Sequence, residues 1–178
     1  MMSLVARWRE PKVAAGLILL AAIATIAGAL MFEYVFGLAP CPLCLRQRIP
    51  YYVAMPIALA AVVLPRRWAR LGVGLLALVF LVSAGLGVHH AGVEWGWWPG
   101  PTDCAGAPPP QPSGMGDFLN QLQRTRVVSC TEAAWRFLGL SLAGWNAVIS
   151  LALAGVAILS LWPKPTRPSR AERSAVLS

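Results

Sequence analysis

Cys41 and Cys44 stand two residues apart in Pro40-Cys41-Pro42-Leu43-Cys44, a spacing that lets two thiols close into a small disulfide ring and reopen. A bridge across so short a loop barely restricts the unfolded chain, so it adds little stability. Its value lies in being opened and closed. A helix starting just after the pair would aim its positive end at Cys44 and favour the thiolate there. The same C-x-x-C can also form half of a zinc site. Zinc sites usually show a second short Cys/His spacing, which this chain lacks, so redox chemistry is the expectation and a resident metal is not.

A dithiol needs an acceptor for two electrons. The sequence has no iron-sulfur cysteine array, no haem-ligand pair within a helix and no G-x-G-x-x-G after a strand, which leaves a lipid-soluble quinone, either ubiquinone or menaquinone. Arg48 lies four residues after Cys44, one helical turn along the same face. From there it could hydrogen-bond a quinone carbonyl or, equally, snorkel to lipid phosphate. Arg46 points away from Cys44. His89 and His90 are candidates for a second contact to the quinone, His90 being the one assigned to it. Cys104 and Cys130 make a second cysteine pair, 26 positions apart in one long loop. Both pairs could simply be structural bridges in an oxidising compartment.

The elements that must carry these residues are membrane helices. Of 178 residues, 57% are apolar and 12% charged, with a mean hydropathy of +0.62. Runs free of Asp, Glu, Lys and Arg place spans at about 13–32, 45–64, 71–88 and 145–162. The expected fold is one all-α membrane domain, a four-transmembrane-helix bundle over 1–178. Its outer loops are 33–44 and 89–144, the latter long and carrying short helices, and 163–178 is a basic tail. Val13 to Phe32 follows a basic lead but is too long for a secretory h-region and is read as retained. Pro56 is expected to kink the second span. Pro65 to Arg70 reads as a basic turn, Gly106 to Gly116 as an irregular Pro-rich arm, and Phe118, Leu119 and Leu122 as one face of a short amphipathic helix. Ser129 and Glu132 fit the capping box S-x-x-E, which predicts a helix through Trp135 and Leu138 with Cys130 in its first turn.

The net charge of +8 has a direction. The whole excess lies in the N-terminal segment, the 65–70 turn and the tail, whereas Arg46, Arg48, Arg124, Arg126 and Arg136 are balanced by five acidic residues. By the positive-inside rule both termini are cytoplasmic and all four cysteines face the other side. A pI near 10 therefore calls for no nucleic acid partner.

Cys41-Pro42-Leu43-Cys44 with Arg48, the Cys104 and Cys130 pair, and Cys130-Thr131-Glu132 leading through Trp135 to Phe137-Leu138-Gly139-Leu140 resemble the disulfide bond formation protein B (DsbB) family. The resemblance covers nearly the whole chain. It implies a protein-disulfide:quinone oxidoreductase of the bacterial inner membrane that reoxidises a periplasmic thioredoxin-fold donor of the DsbA kind. In the implied relay the partner attacks Cys104 of a Cys104-Cys130 disulfide, Cys130 attacks Cys41, and Cys44 faces the quinone. Gln47 stands where some members carry Glu, and His89-His90 is not at the expected spacing to Cys104. Rival readings are a vitamin-K-epoxide-reductase-like thiol/quinone oxidoreductase, whose C-x-x-C belongs to its last helix, and a non-catalytic assembly factor stapled by disulfides.

Overall fold

The structure, a computed structural model, describes residues 10–100, 130, 131, 133 and 135–162. Four helices run through it: α1 (Pro11–Tyr34), α2 (Pro42–Val63), α3 (Arg66–Glu94) and α4 (Leu142–Leu161). A hairpin of two-residue strands, β1 (Arg136–Phe137) and β2 (Leu140–Ser141), leads into α4. Proline opens α1 and α2 at positions where its missing N–H costs nothing, and the Ser141 side chain caps α4 by accepting from the Gly144 N–H at 3.2 Å.

Small residues face inward and large ones outward. The core takes Ala15, Ile18, Ala22 and Ile26 of α1, Ala54, Ala58 and Ala61 of α2, Val73, Leu76 and Phe80 of α3, and Ala154 and Ala157 of α4. Leu20, Leu78, Val82 and Leu151 are exposed. Such an inversion suits a bundle solvated by lipid, where close backbone approach drives helix packing. At the α3–α4 crossing a Cβ on Gly87 would lie 2.8 Å from the Ala147 backbone nitrogen, so this contact requires glycine. The helix α3 packs most extensively, against α4 and α2.

Among the described residues, three helices are long and apolar enough to cross a membrane: α1, α3 and α4. The helix α2 forms where a second span was expected, but Arg46, Gln47, Arg48 and two internal prolines lower its hydropathy, and length and composition alone do not mark it as a span. Several boundaries differ from expectation. The helix α2 begins between the two cysteines, not after them. The turn before α3 is confined to Leu64 and Pro65, and its arginines lie in the first turns of α3. The helix α3 continues past Val88 to Glu94, so His89 and His90 are helical and do not open a loop.

The helix predicted from Cys130 through Leu138 is replaced by the β1–β2 hairpin over its second half. Leu138 and Gly139 both take positive φ, 52° and 82°, the requirement of a tight two-residue hairpin turn, and Trp145 donates to the Phe137 carbonyl at 3.0 Å to hold it. Ser129, Glu132, the Pro-rich arm, the amphipathic segment and the tail from 163 onward lie outside the described residues.

Candidate functional site: sulfurs beside an apolar cavity

The start of α2 creates the dithiol. Cys41 is the N-cap of α2, and its Sγ accepts from the Cys44 N–H at 3.3 Å, one turn on. The two Sγ atoms lie 3.3 Å apart, both thiols being free. The helix end therefore favours an anion on Cys41, which corrects the expectation that Cys44 receives it. The Cys41 thiol is held well below its ordinary value, first by the hydrogen bond from the Cys44 thiol and then by His90 and the Cys44 backbone, which outweigh burial. The Cys44 thiol is pushed up, first because it donates to Cys41, then by burial. One proton is thus shared by the pair and rests on Cys44.

His90 comes from the last turn of α3, where it is buried, while His89 one residue earlier is exposed. Its Nε2 lies 3.6 Å from Cys41 Sγ and 3.8 Å from Glu94 Oε1. A chain of polar side chains fixes its ring. Gln47 meets Nδ1 at 2.5 Å, Asn146 donates to Gln47 Oε1 at 2.6 Å, and Tyr51 donates to Asn146 Oδ1 at 2.8 Å. Tyr51 also contacts Ser150, which donates to Ser83 at 2.9 Å. The network ties α2, α3 and α4 together at one depth and satisfies groups that would be costly to bury alone.

Beside the pair lies a cavity of about 320 Å³, its apolar walls formed by Ile26, Phe32, Leu142 and Ile149, and its polar points by Cys41, Cys44, Gln47, Arg48, His90, Glu94 and Asn146. The Arg48 guanidinium lies on this wall, and Nη1 binds Glu33 Oε2 of α1 at 2.6 Å, with 13% of the arginine side chain exposed. Arg46 is exposed. Cys130 is disulfide-bonded and buried in a small cluster with Cys41, Leu43 and Val93, against which Trp98 packs. The donor atoms of Cys41, His90 and Cys130 all lie within 4.8 Å of one another.

The structure thus brings together Cys41, Cys44, Arg48, His90 and Cys130; Cys104 lies outside the described residues. Sequence reasoning missed Glu33, Glu94, Asn146 and Tyr51 as site residues and treated Gln47 only as a departure. A signal existed for Glu94, four residues after His90 and so on its face of the helix. Asn146 was legible only as a polar residue in an apolar run.

A close pair of thiols in a helix bundle, bordering an apolar cavity and with a third cysteine sulfur within 4.8 Å of Cys41, is the arrangement of a membrane thiol oxidoreductase. The family model of the disulfide bond formation protein DsbB matches residues 11–160, and the chain belongs to that family. Among its curated relatives, the disulfide bond formation protein B of Marinobacter nauticus is 35% identical over 139 residues, covering 75% of this chain and 81% of that protein. That of Psychrobacter sp. is 34% identical over 151 residues, covering 75% and 84%, and that of Verminephrobacter eiseniae 29% over 175, covering 91% and 92%.

Proposed function

We propose that this protein oxidises a soluble thioredoxin-fold dithiol of the DsbA kind at the periplasmic face of the bacterial inner membrane and delivers the electrons to a membrane quinone, with both termini cytoplasmic. The observation that carries this reading is one sulfur pair that borders the cavity and reaches a third sulfur. Cys44 borders the cavity, Cys41 lies 3.3 Å from Cys44, and Cys130 lies within 4.8 Å of Cys41.

The sulfur chemistry balances as two exchanges. The disulfide of Cys130, which we pair with Cys104, is attacked at Cys104 by a partner thiolate; the bond to Cys130 breaks and Cys130 leaves as thiolate. The partner's second thiol then resolves the adduct and leaves Cys104 reduced. With Cys41 and Cys44 oxidised, Cys130 attacks Cys41 and expels Cys44. What burdens a Cys44 anion is first its hydrogen bond with Cys41, then burial and the Cys41 charge, and both Cys41 contributions are gone once Cys41 is in a disulfide. Cys104 then attacks Cys130, restoring the outer disulfide and leaving Cys41 and Cys44 reduced.

The cavity fits a quinone head: about 320 Å³ falls in the range of roughly 300–1,000 Å³ common for ligand pockets, with apolar walls and few polar points. The quinone, when bound, supplies the two-electron acceptor. Arg48, fixed by Glu33, is placed to hold a carbonyl oxygen, and His90 with Glu94 lies where protons are required on the same wall. The test is quinone-dependent oxidation of a reduced thioredoxin-fold partner by the purified protein, with each cysteine replaced in turn. Loss of turnover on replacement of any one is expected. Turnover indifferent to Cys41 would end the proposal.

A further inference from the structure

Glu94 is the anomaly of this site. It lines the cavity from the last turn of α3, its side chain is 5% exposed, and its Oε2 has no hydrogen-bond partner among the described residues. Buried polar groups are paired as a rule, so a lone one at a cavity wall marks a place where a ligand atom is expected. The other oxygen, Oε1, faces His90 Nε2 at 3.8 Å, and the same nitrogen lies 3.6 Å from Cys41 Sγ. Gln47 meets the imidazole's other nitrogen. The open position on this wall is therefore the carboxyl's.

A proton count gives that position a task. Reduction of a quinone to its quinol takes two electrons and two protons, whereas the reduced Cys41–Cys44 pair has two electrons to give and shares one proton. The second proton must come from another group at the cavity. The titratable and charged groups there, besides the two thiols, are Arg48 and Tyr51 of α2 and His90 and Glu94 of α3, with Glu33 of α1 on Arg48. The helix α4 contributes the neutral Asn146, and Cys130 is in a disulfide. A guanidinium does not give up a proton. The Tyr51 hydroxyl is committed to Asn146 at 2.8 Å, and both imidazole nitrogens of His90 have neighbours. Glu94 has the free oxygen. Moreover, a quinone oxygen and a carboxylate oxygen both only accept hydrogen bonds, so a buried contact between them is unfavourable until a proton lies between the two.

We propose that Glu94 is a catalytic residue of this site: it takes up one proton when an oxidised quinone head enters the cavity, holds it on Oε2 against a ring oxygen, and gives it up as Cys41 and Cys44 close. The inference rests on the reading of the cavity as a quinone site. The step balances. The Cys41 thiolate and the Cys44 thiol give up two electrons and form the S–S bond, Cys44 releases one proton to one ring oxygen and Glu94 the second to the other, and Glu94 is left as carboxylate beside a quinol. A quinol carries its own O–H and can donate to that carboxylate, so its binding needs no proton from solvent.

The test uses the full-length protein in detergent, stripped of quinone and with Cys41 and Cys44 oxidised, so that no electrons move. It is titrated calorimetrically with a short-tailed benzoquinone and, anaerobically, with the matching quinol, over a series of pH values and in buffers of different ionisation enthalpy. One proton taken up per quinone bound is expected, with the quinone Kd rising by about tenfold per pH unit on the alkaline side and the quinol Kd flat there. Glu94→Gln, whose amide donates without a proton from solvent, should bind quinone with no uptake and no pH dependence. In the reduced protein it should slow single-turnover oxidation of the pair by about a hundredfold or more, with the quinone KM little changed. Uptake that persists in Glu94→Gln, quinone binding without uptake in the unaltered protein, or a transfer rate unmoved by the glutamine would each overturn the proposal while leaving the quinone site standing. Absence of any quinone binding would remove the quinone reading and this inference with it.

Discussion

At the scale of the residue, the shared proton between Cys41 and Cys44 governs how the pair responds to pH. An ordinary dithiol takes up two protons for two electrons on reduction. Here Cys41 is held as thiolate by the Cys44 thiol, the helix N-terminus and His90, so reduction takes up one. The reduction potential of the pair should therefore fall by about 30 mV per pH unit through neutrality, about half the two-proton slope, as read by equilibration with a dithiol buffer. The sign for stability follows. A thiol whose pKa is lower in the folded state stabilises the reduced fold fully above the unfolded thiol value, and that gain is lost as pH falls through the depressed value. The reduced protein should accordingly gain stability from acid toward mildly alkaline pH in urea unfolding. His90→Ala, which removes the imidazole contact that helps hold Cys41 as thiolate, is expected to make the pair less oxidising. Arg48 makes a separate case: loss of a charged hydrogen bond of about 1.5–3 kcal/mol should raise the quinone KM for Arg48→Ala by about tenfold to a hundredfold, with exchange between the partner and the outer cysteines unchanged. Glu33→Gln should move the same KM in the same direction by less.

Elements decide which of these residues meet, and the sequence was legible unevenly here. The C-x-x-C, Arg48 one turn on and the apolar runs of α1, α3 and α4 follow from spacing and hydropathy, which depend on local chain geometry alone. The end of α3 does not. Its extension to Glu94 is held by Trp97 donating to the Gly92 carbonyl at 2.9 Å, and by Trp98, which donates to the His89 carbonyl at 2.9 Å and packs on the Cys41–Cys130 cluster. Nothing in the charge-free run that stops at Val88 shows that contact, and so His90 read as emerging when it is buried. The hairpin was missed because the Ser129–Glu132 spacing matched a helix start, while the turn puts Leu138 at a positive φ that leucine does not announce. Asn146 links α4 to the site through Gln47. Asn146→Leu would leave Gln47 Oε1 and the Tyr51 hydroxyl short of a partner in the bundle, at a cost of about 1–3 kcal/mol, and should lower thermal stability together with turnover. Gly87→Val places carbon against the Ala147 backbone and should destabilise by a similar or larger amount, read by thermal denaturation in detergent, without altering the potential of the Cys41–Cys44 pair.

Across the whole molecule, helices of small inward and large outward residues form a sleeve suited to lipid, and the sulfur atoms of Cys41, Cys44 and Cys130 are gathered together in it. Cys41 and Cys44 both border the apolar cavity, Cys41 is the more buried of the two, and its sulfur lies within 4.8 Å of that of Cys130. If Cys104 is the point of entry, then removing its resolving neighbour should halt the relay at its first covalent step. In Cys130→Ser, the Cys104 thiol attacks an oxidised thioredoxin-fold partner, displaces one partner thiolate and stays joined to it, since no second thiol lies beside it to close the bond again. A disulfide-linked adduct is expected on non-reducing gels, lost on added reductant and lost again in Cys104→Ser/Cys130→Ser. An adduct that persists in that double variant and disappears with Cys41→Ser would show that partners reach the inner pair directly, and the order of the sulfurs set out above would be reversed.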